Sequence, residues 1–547
     1  MVRRAGKALQ SIKPCFMMSP LSVSQYLVPG HISFDLIVMD EASQLRLEEA
    51  ISAVARGEKL VVVGDPKQLP PTTFFDRLND ISEEEEDEMM AAEEAESILD
   101  ICQNNFHTRR LKWHYRSEHE SLISFSNSEF YDNDLIIFLA PYTVNKNLGV
   151  HYHYIEGATY KKGRNRIEAE AVALAVADHF KFFPELSLGV ATFNVEQRNL
   201  ISDEIERLQK KDSWLESKIT ETENHEEPFF VKNLENVQGD ERDIIFISTT
   251  YGPDVNTGQV YQRFGPINRP TGWRRLNVIV TRAKKRLHLF SSLHSSDVRV
   301  IPGASKGVVA LHNYIKFCET GNIPELGTPS NREADSDFEV SVAKLLNQYG
   351  YKTTLQVGVA GFFIDIAVHN SDRPEEYLLG IECDGATYHS AKSIRDRDLL
   401  RQKILENKGW KIYRIWSTDW FKNREREIEK LLKHLDKLAK SSRLKINDKL
   451  DINTFENVTV LQNENITKKE NLRNVLLEFR RKKIEPFIDN IENCILSDSL
   501  IEEFVQRMPT SKDEFLQFPI EIRSNISKGQ APKFLDDILE IIEEYAY

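Results

Sequence analysis

The sequence predicts an α/β protein of several domains that ends in an all-helical unit. The chain has 547 residues, and at about 150 residues per domain this length favours several domains over a single core. Apolar residues make up 41% of the chain and charged residues 29%, so most of its length can bury a core. β-Branched runs alternate with helical patterns up to about residue 425, whereas the end of the chain shows helical spacing alone.

Composition limits the classes of function. With 71 basic and 85 acidic residues, the net charge is −14, which excludes a uniformly basic coat for nucleic acid and confines any such site to local reversals of charge. The five cysteines lie far apart without CxxC spacing, as in proteins of reducing compartments. No apolar run approaches the roughly 18 residues that a membrane span needs. We therefore expect a cytoplasmic protein with no membrane partner.

Residues 1–75 have the pattern of part of an α/β lobe. The apolar run Phe34–Met39 is followed by Asp40 and Glu41, and the next strand-like run ends in the loop GDPKQLPP, which contains Gln68. Carboxylates at the carboxyl end of a parallel strand are placed to hold Mg²⁺ and to orient water, and a glutamine amide can bond a γ-phosphate. A strand that ends in Asp-Glu is common, so the later motifs decide its meaning.

Residues 76–105 are expected to be an acidic insertion. The stretch Ile81–Glu96 has nine acidic residues and no basic residue, which is typical of a solvated helix or a flexible segment. An acidic interaction arm is the alternative.

Residues 106–300 are predicted to form a second α/β lobe. They contain HYRSEHESLISFSNSEFY, LGVATFNVEQ, VQGDERD and RRLNVIVTRAK in this order. Together with DEASQ and GDPKQLPPT, these motifs resemble those of superfamily 1 helicases, in particular the branch of the nonsense-mediated-decay helicase, over about residues 10 to 295. The resemblance implies two RecA-like lobes, the first of them partial, that bind ATP with Mg²⁺ and move along nucleic acid.

The resemblance also implies roles for single residues. Asp40 is the expected metal ligand, Glu41 orients water, and Gln68 senses the phosphate. Arg116 and Arg282 become arginine fingers, with surface ion pairing as the alternative, and the nucleotide is further contacted by two residues of VQGDERD: Gln238 and, at the ribose, Glu241. Phosphoryl transfer depends on positioning and charge neutralisation, and two guanidiniums from a second lobe make it depend on lobe closure.

The chain departs from this family before Asp40. A GxxxxGK[ST] phosphate cradle is needed there, but the 39 preceding residues offer only a Gly6-Lys7 pair without the leading glycine or the following hydroxyl. ATP hydrolysis is therefore expected only if a companion protein supplies the cradle in trans, unless the sequence is a fragment of a longer helicase.

A local reversal of charge favours nucleic-acid contact. Residues 272–286 carry six basic residues and no acidic one, which suits phosphate binding; a solvated basic helix end is the alternative. The predicted contacts in this segment are Arg274, Arg275 and Lys284.

Residues 301–334 are expected to be a linker, and residues 335–425 a third α/β domain. The strand-like run FFIDIAVH carries Asp365, and YLLGIECDG carries Glu382 and Asp384 on one face, because side chains alternate along a strand. Glu339 lies on the preceding helix. Carboxylates from adjacent strands favour a hard-metal site for Mg²⁺ or Mn²⁺.

This arrangement resembles the PD-(D/E)XK nuclease fold, which is restriction-endonuclease-like, and more narrowly the very-short-patch-repair-like endonuclease domains. Asp365 and Glu382 match its metal-binding acids, and Glu339 is expected to complete or to orient the site. Asp384 stands at the usual lysine position, which leaves that role open to His389, Lys392 or Gln402. An inactive fold retained for DNA binding is the alternative. A basic helix pattern supplies further predicted contacts to nucleic acid: Arg395, Arg397 and Arg401.

Residues 426–470 are expected to be a linker, and residues 471–547 an all-α bundle. The latter resembles HRDC domains, which implies auxiliary DNA binding or partner docking. The combined architecture predicts a helicase-nuclease that acts on DNA, with RNA as the alternative substrate, in repair, recombination or defence. The competing hypothesis is a non-catalytic DNA-binding or regulatory subunit.

Overall fold

The computed structural model describes residues 2–71, 97–142, 148–321, 334, 336–359, 362–384 and 392–444, and scattered residues between 472 and 542. The chain forms two compact units, residues 1–449 and 450–547. The helices described in the first unit are α1 (Val2–Ile12), α2 (Pro20–Tyr26), α3 (Leu47–Val54), α4 (Ile98–Asn105), α5 (Ser121–Phe130), α6 (Arg166–Phe182), α7 (Val195–Lys211), α8 (Ser213–Thr222), α9 (Gly272–Val280), α10 (Lys306–Thr320), α11 (Asp337–Gln348), α12 (Lys392–Asn407), α13 (Ser417–Lys422) and α14 (Arg424–Leu444).

The strands form four sheets. They are β1 (Phe34–Met39), β2 (Gly57–Val62), β3 (Trp113–His114), β4 (Ile136–Ile137), β5 (Gly149–Tyr154), β6 (Leu188–Thr192), β7 (Phe230–Asn233), β8 (Arg242–Ser248), β9 (Ala283–Ser291), β10 (Thr353–Val359), β11 (Phe362–His369), β12 (Tyr377–Asp384) and β13 (Ile412–Trp416).

The first lobe is represented by a two-stranded parallel sheet, in which β1 pairs with β2. Helices α3 and α4 cover one face of this sheet, and Ala50, Ile98 and Leu99 are buried against Met39. Ser97 begins α4 with a capping box that it shares with Asp100, which stabilises the helix start. The end of the predicted insertion 76–105 therefore packs with the first lobe, while its acidic stretch 81–96 lies outside the described residues.

The second lobe contains a five-stranded parallel sheet in the order β5-β9-β8-β6-β7. Its strands are nearly continuous apolar runs because helices cover both faces; Ile244–Ile247 in β8, for example, are fully buried. Helix α10 packs into the same core through Leu311 and Ile315. The prediction of a linker over 301–334 is therefore wrong for 306–320, because the apolar face of this helix is buried in the lobe.

The third domain has a mixed four-stranded sheet in the order β10-β11-β12-β13, with only the last pair parallel. Helices α11, α13 and α14 cover one face, where Val342, Trp420 and Leu431 are buried. The predicted linker 426–470 is therefore helical up to Leu444 and belongs to this domain as far as Leu435, which is fully buried.

In the second unit, the described residues are helical. Several are buried apolar side chains, among them Leu472, Leu476, Phe504 and Ile542, as a helical core requires. The connectivity of the predicted HRDC-like bundle lies outside the described residues. In the described part of the chain, no helix is both long and apolar enough to cross a membrane.

Candidate nucleotide and nuclease sites

The first group of candidate residues begins where β1 ends. Asp40 and Glu41 follow Met39, and Glu41 has a left-handed backbone conformation with a φ of 51°, which is unfavourable for a residue with a side chain. The Glu41 N–H donates to Asp40 Oδ1 at 2.9 Å. Both residues are exposed at the carboxyl end of a parallel strand, the edge at which open α/β sheets bind ligands. Backbone strain at such a place is typical of functional sites.

Gln68 lies in the loop after β2 and is linked to the second lobe through Asp65. Gln68 Nε2 donates to Asp65 Oδ2 at 3.1 Å, and the Tyr131 hydroxyl donates to the same oxygen at 2.5 Å. Asn277 Nδ2 in turn donates to the Lys67 carbonyl oxygen at 2.9 Å and to the Tyr131 hydroxyl at 3.0 Å. Burial and the Asp65 carboxylate raise the pKa of Tyr131 well above its usual range, so the phenol remains a donor.

Residues of the second lobe approach the same place. Arg116 Nε lies 3.0 Å from Glu241 Oε2, and Gln238 Nε2 lies 3.4 Å from Glu41 Oε2. Arg282 is buried, and burial together with the charge of Arg116 lowers its pKa to about 10, so it is still a cation at neutral pH. The charges of Glu41 and Glu241 both act on Arg282. Two guanidiniums and carboxylates from both lobes thus lie near one another, an arrangement that can neutralise and orient a phosphate chain with its metal ion.

The basic residues of segment 272–286, which are predicted to contact nucleic acid, have different environments. Arg274 is half-buried beside Trp273, whose ring centroid is 5.5 Å from the guanidinium carbon. Arg275 is buried, and its Nε donates to Glu235 Oε1 at 2.6 Å. The predicted phosphate contact at Arg275 does not fit this position, because the guanidinium already has a buried carboxylate partner. Lys284 forms ion pairs with Glu227 and with Glu241.

The second group of candidates lies on β11 and β12. Asp365 and Glu382 are both mostly buried; burial raises the pKa of Asp365 to about 6, although the Cys383 N–H donates to its Oδ2 at 2.7 Å. Burial also raises the pKa of Glu382 to about 7, against the attraction of Arg401. Glu382 Oε1 accepts no hydrogen bond from the described residues and lies 3.7 Å from Arg401 Nη2. Two desolvated carboxyl groups on neighbouring strands are typical of a functional site.

Asp384 has a different environment from that pair. Its Oδ2 lies 3.3 Å from Arg414 Nη1 on the adjacent β13, and Arg414 Nε donates to Gln402 Oε1 at 3.0 Å. The carboxylate that replaces the usual lysine is therefore neutralised by an arginine on the next strand. The position of Arg414 could not be derived from the sequence, because the pairing of β12 with β13 depends on a long crossover.

Glu339 reaches the domain interior from α11. Ser336 caps this helix, and its hydroxyl donates to Glu339 Oε1 at 2.8 Å; Gln356 Nε2 donates to Glu339 Oε2, also at 2.8 Å. Gln356 has a φ of 50° and lies between Leu355 and Val357 in β10. Sequence reasoning missed Gln356, and its only signal was a polar residue in a strand-like apolar run.

The fit of these residues to a metal ion is partial. The donors are all carboxylate oxygens, which suit Mg²⁺ or Mn²⁺, and one buried oxygen of Glu382 receives no hydrogen bond from the residues that the structure describes. However, the part of the chain that the structure describes contains no group of three or more His, Cys, Asp or Glu residues with the geometry of a metal site. Among the other candidates, His389 is outside the described residues, as are the side chains of Lys392, Arg395 and Arg397.

Comparison with known proteins identifies the classes of domain. Two models described as AAA domain match residues 20–76 and 95–294, and the REase_MTES_1575 model matches residues 338–435. The chain thus contains helicase-type AAA domains followed by a restriction-endonuclease-type domain, which confirms the coarse form of both predicted resemblances.

Individual relatives agree with this assignment. The chain is 32% identical over 437 residues to the uncharacterized ATP-dependent helicase MG140 of Mycoplasma genitalium, covering 75% of this chain and 38% of the relative. It is 32% identical over 418 residues to the Mycoplasma pneumoniae homologue, covering 73% and 36%. Helicase SEN1 of Saccharomyces cerevisiae is 26% identical over 48% of this chain and 11% of its own length. The chain therefore spans little more than a third of the two mycoplasma helicases.

Proposed function

We propose that the chain is a DNA-processing protein whose restriction-endonuclease-type domain, within residues 335–444, cleaves phosphodiester bonds with a divalent metal ion. The observation that carries the proposal is the pair Asp365 and Glu382, a half-buried and a buried carboxyl group on adjacent strands, both with pKa values raised by burial. Burying two acids together is unfavourable unless a cation or a proton compensates for the lost hydration.

The residues divide the work as follows. Asp365 and Glu382 hold the metal, with Glu339 orienting the site from α11. When bound, Mg²⁺ or Mn²⁺ activates a water molecule and stabilises charge on the phosphate. Arg401 lies beside Glu382, and we assign to it the positive charge that the family's lysine otherwise supplies. Asp384 cannot fill that role, since it is an acid paired with Arg414.

The test is cleavage of labelled single- and double-stranded DNA by the purified chain with Mg²⁺ or Mn²⁺. Asp365→Asn, which removes the charge but keeps the shape, is expected to abolish the cut product. Glu425→Gln, at an exposed residue of α14, is the matched control and should cleave normally. If wild-type and Asp365→Asn proteins both bind DNA and neither cleaves it, the regulatory-subunit hypothesis replaces the nuclease. The same assay with labelled RNA decides between the two substrates.

We further propose that the AAA domains bind ATP with Mg²⁺ once a phosphate cradle is supplied by another chain or by a longer form of this one. Supporting this, one face of the β1–β2 sheet is exposed through four apolar side chains, Leu36, Val38, Val61 and Val63, which are 49%, 60%, 45% and 41% accessible. Both faces of a parallel sheet are normally covered. The remainder of a RecA-like lobe has the sheet and helices to cover this one.

Nucleotide binding can be tested without turnover. Adding a fragment that carries a helicase phosphate loop should produce saturable binding of a fluorescent ATP analogue that neither component shows alone. Leu36→Glu in the exposed face should prevent complex formation, whereas Tyr349→Glu, at an exposed position of the nuclease domain, should not. Binding of the analogue by the chain alone would contradict the requirement for a cradle in trans.

A further inference from the structure

The nuclease-type domain is docked against the segment that carries Arg116. Phe138 and Leu139 of the second lobe share one buried cluster with Ile364, Leu405 and Trp410 of the nuclease-type domain. This contact has the character of a domain core, because large apolar side chains of both parts are fully buried together.

Hydrogen bonds fix the orientation of the nuclease-type domain at this contact. Trp410 Nε1 donates to the Leu139 carbonyl oxygen at 2.8 Å, and the Tyr377 N–H donates to the Pro141 carbonyl oxygen at 2.8 Å. The Tyr377 and Trp410 rings stack with centroids 5.4 Å apart. Gly409, which lies between Lys408 and Trp410, has a φ of 97°, a conformation that favours glycine. The turn that ends α12 is therefore held in one orientation against the second lobe.

Lys408 extends this contact to the arginine finger. Its ammonium group is buried, with the residue 8% accessible, and donates to the carbonyl oxygen of Ser117, the neighbour of Arg116. Burial lowers the pKa of Lys408 to about 8, against the attraction of Glu120 and Glu118. A buried ammonium group is costly unless its partners are well placed, so this bond constrains the position of the backbone at Ser117.

The segment around Arg116 also makes contacts within the second lobe. Residues 115–118 form no regular secondary structure between β3 and α5. On the second-lobe side, the Glu118 N–H donates to the Lys284 carbonyl oxygen at 2.7 Å, and Arg116 itself pairs with Glu241. Ser117 also bonds the buried His114 ring at 2.9 Å. Lys408 thus ties this segment to a different domain.

We propose that Lys408 of the nuclease-type domain is a positioning residue for Arg116, so that the nuclease-type domain forms part of the scaffold of the nucleotide site. The effect on catalysis rests on the proposed role of Arg116. The positioning of the segment by Lys408 does not depend on that role. Displacement of the turn 408–410, for example on DNA binding, would move the segment that carries the arginine finger.

The test is amide hydrogen exchange of the whole chain, read by mass spectrometry. Lys408→Met keeps the length of the side chain but removes the donor, and exchange in the peptide covering 113–118 is expected to rise about tenfold. Lys403→Met, at an exposed lysine of α12, the helix that precedes the turn 408–410, is the matched control and should leave this peptide unchanged. Lys408→Arg, which keeps a cationic donor, should restore slow exchange.

Each alternative result overturns the inference. Unchanged exchange at 113–118 in Lys408→Met would show that the bond does not hold the segment. An equal rise at 113–118 and in the buried strand 377–384 would show that Lys408 only supports folding of its own domain. If the peptide 113–118 exchanges as fast in Lys408→Arg as in Lys408→Met, the cationic donor does not hold the segment.

Catalysis provides a separate measurement. In a preparation that hydrolyses ATP, Lys408→Met should lower kcat with little change in KM, in the same direction as Arg116→Ala. If no preparation turns over ATP, the proposed role of Arg116 in catalysis fails, while the exchange experiment still decides whether Lys408 positions the segment.

Discussion

The Tyr131 hydroxyl donates to Asp65 Oδ2 at 2.5 Å, and so joins two parts of the chain that are 66 positions apart. Asp65 belongs to the loop that carries Gln68, and Tyr131 follows the helix after the Arg116 segment. Asn277 completes the contact by bonding both Tyr131 and the Lys67 carbonyl oxygen. The loop that carries Gln68 is therefore held against the second lobe by side chains outside the predicted catalytic set.

Replacing Tyr131 tests this lobe contact. Tyr131→Phe removes the hydroxyl and leaves part of a buried polar network unpaired, so we expect the free energy of unfolding to fall by about 1–2 kcal/mol. Chemical denaturation followed by tryptophan fluorescence measures the change. Tyr349→Phe, at an exposed position, is the control. Equal stability of wild-type and Tyr131→Phe proteins would show that water replaces the hydroxyl without cost.

The two neighbouring arginines of the basic segment should behave differently. Arg274→Ala is expected to leave stability nearly unchanged, to weaken DNA binding and to reduce the slope of log affinity against log salt by about 0.9, the value for one phosphate contact. Arg275→Ala breaks a buried pair with Glu235, so stability should fall by about 3 kcal/mol or more. Salt-dependent binding and urea denaturation of both variants distinguish the two roles, and a normal stability of Arg275→Ala would contradict the second.

Glu382 should destabilise the metal-free folded protein, although cleavage requires it. Its pKa in the folded chain is about 7, above the value of about 4.3 in an unfolded chain, so folding at pH 8 without metal buries an unfavourable charge. Glu382→Gln is therefore expected to stabilise the metal-free protein at pH 8, on the order of 1 kcal/mol, and to abolish cleavage. Thermal unfolding and the DNA assay give the two readouts. Destabilisation by Glu382→Gln would show that the pairing with Arg401 outweighs the cost of burial.

The second lobe should lose stability in acid. Burial lowers the pKa values of His151, His153 and His179 to about 4, and it also lowers the pKa of His288 well below its usual range. Because the unfolded histidines titrate near pH 6.5, the unfolded chain binds more protons below that pH. Stability should therefore fall from about pH 6.5 toward pH 4, by about 1.4 kcal/mol per pH unit for each group. Glu168 acts in the opposite sense, since burial raises its pKa to about 7.

A single substitution isolates one histidine of this group. His153 Nε2 and His288 Nδ1 are 2.8 Å apart, so His153→Phe removes one titrating ring and should make the pH dependence shallower even if it lowers stability overall. Urea denaturation between pH 4 and pH 7 measures the slope. His31→Asn, at an exposed position, should leave the slope as it is in the wild type. An unchanged slope in His153→Phe would mean that this ring does not titrate on unfolding.

The purified chain alone should show no ATP hydrolysis stimulated by nucleic acid. The reason is chemical: residues 1–39 carry no GxxxxGK[ST] motif, and without its backbone amides and lysine the outer phosphates are not bound. A coupled assay for phosphate release with and without DNA measures this. Turnover that disappears on Glu41→Gln would contradict the prediction.

Sequence reasoning succeeded where the signal is local. The run Phe34–Met39, the alternation of FFIDIAVH and the motif order predicted strands, two α/β lobes and a nuclease-type domain, and the domain comparisons agree. Linker boundaries were less accurate, because α10 and the beginning of α14 are buried only through contacts with distant strands. The predicted nucleic-acid contact at Arg275 does not fit its buried position for the same reason, since its partner Glu235 is 40 positions away in the chain.

By itself, the sequence determined which acids and arginines belong to each motif, because motif chemistry depends on residue type and short spacing. Only the tertiary structure decided how these groups are neutralised and held: Arg414 opposite Asp384, Gln356 on Glu339, and Lys408 on the segment of Arg116. These contacts join residues whose separation in the chain carries no periodic signal. Their partners are set by how sheets and domains pack, and burial then determines the protonation of each group.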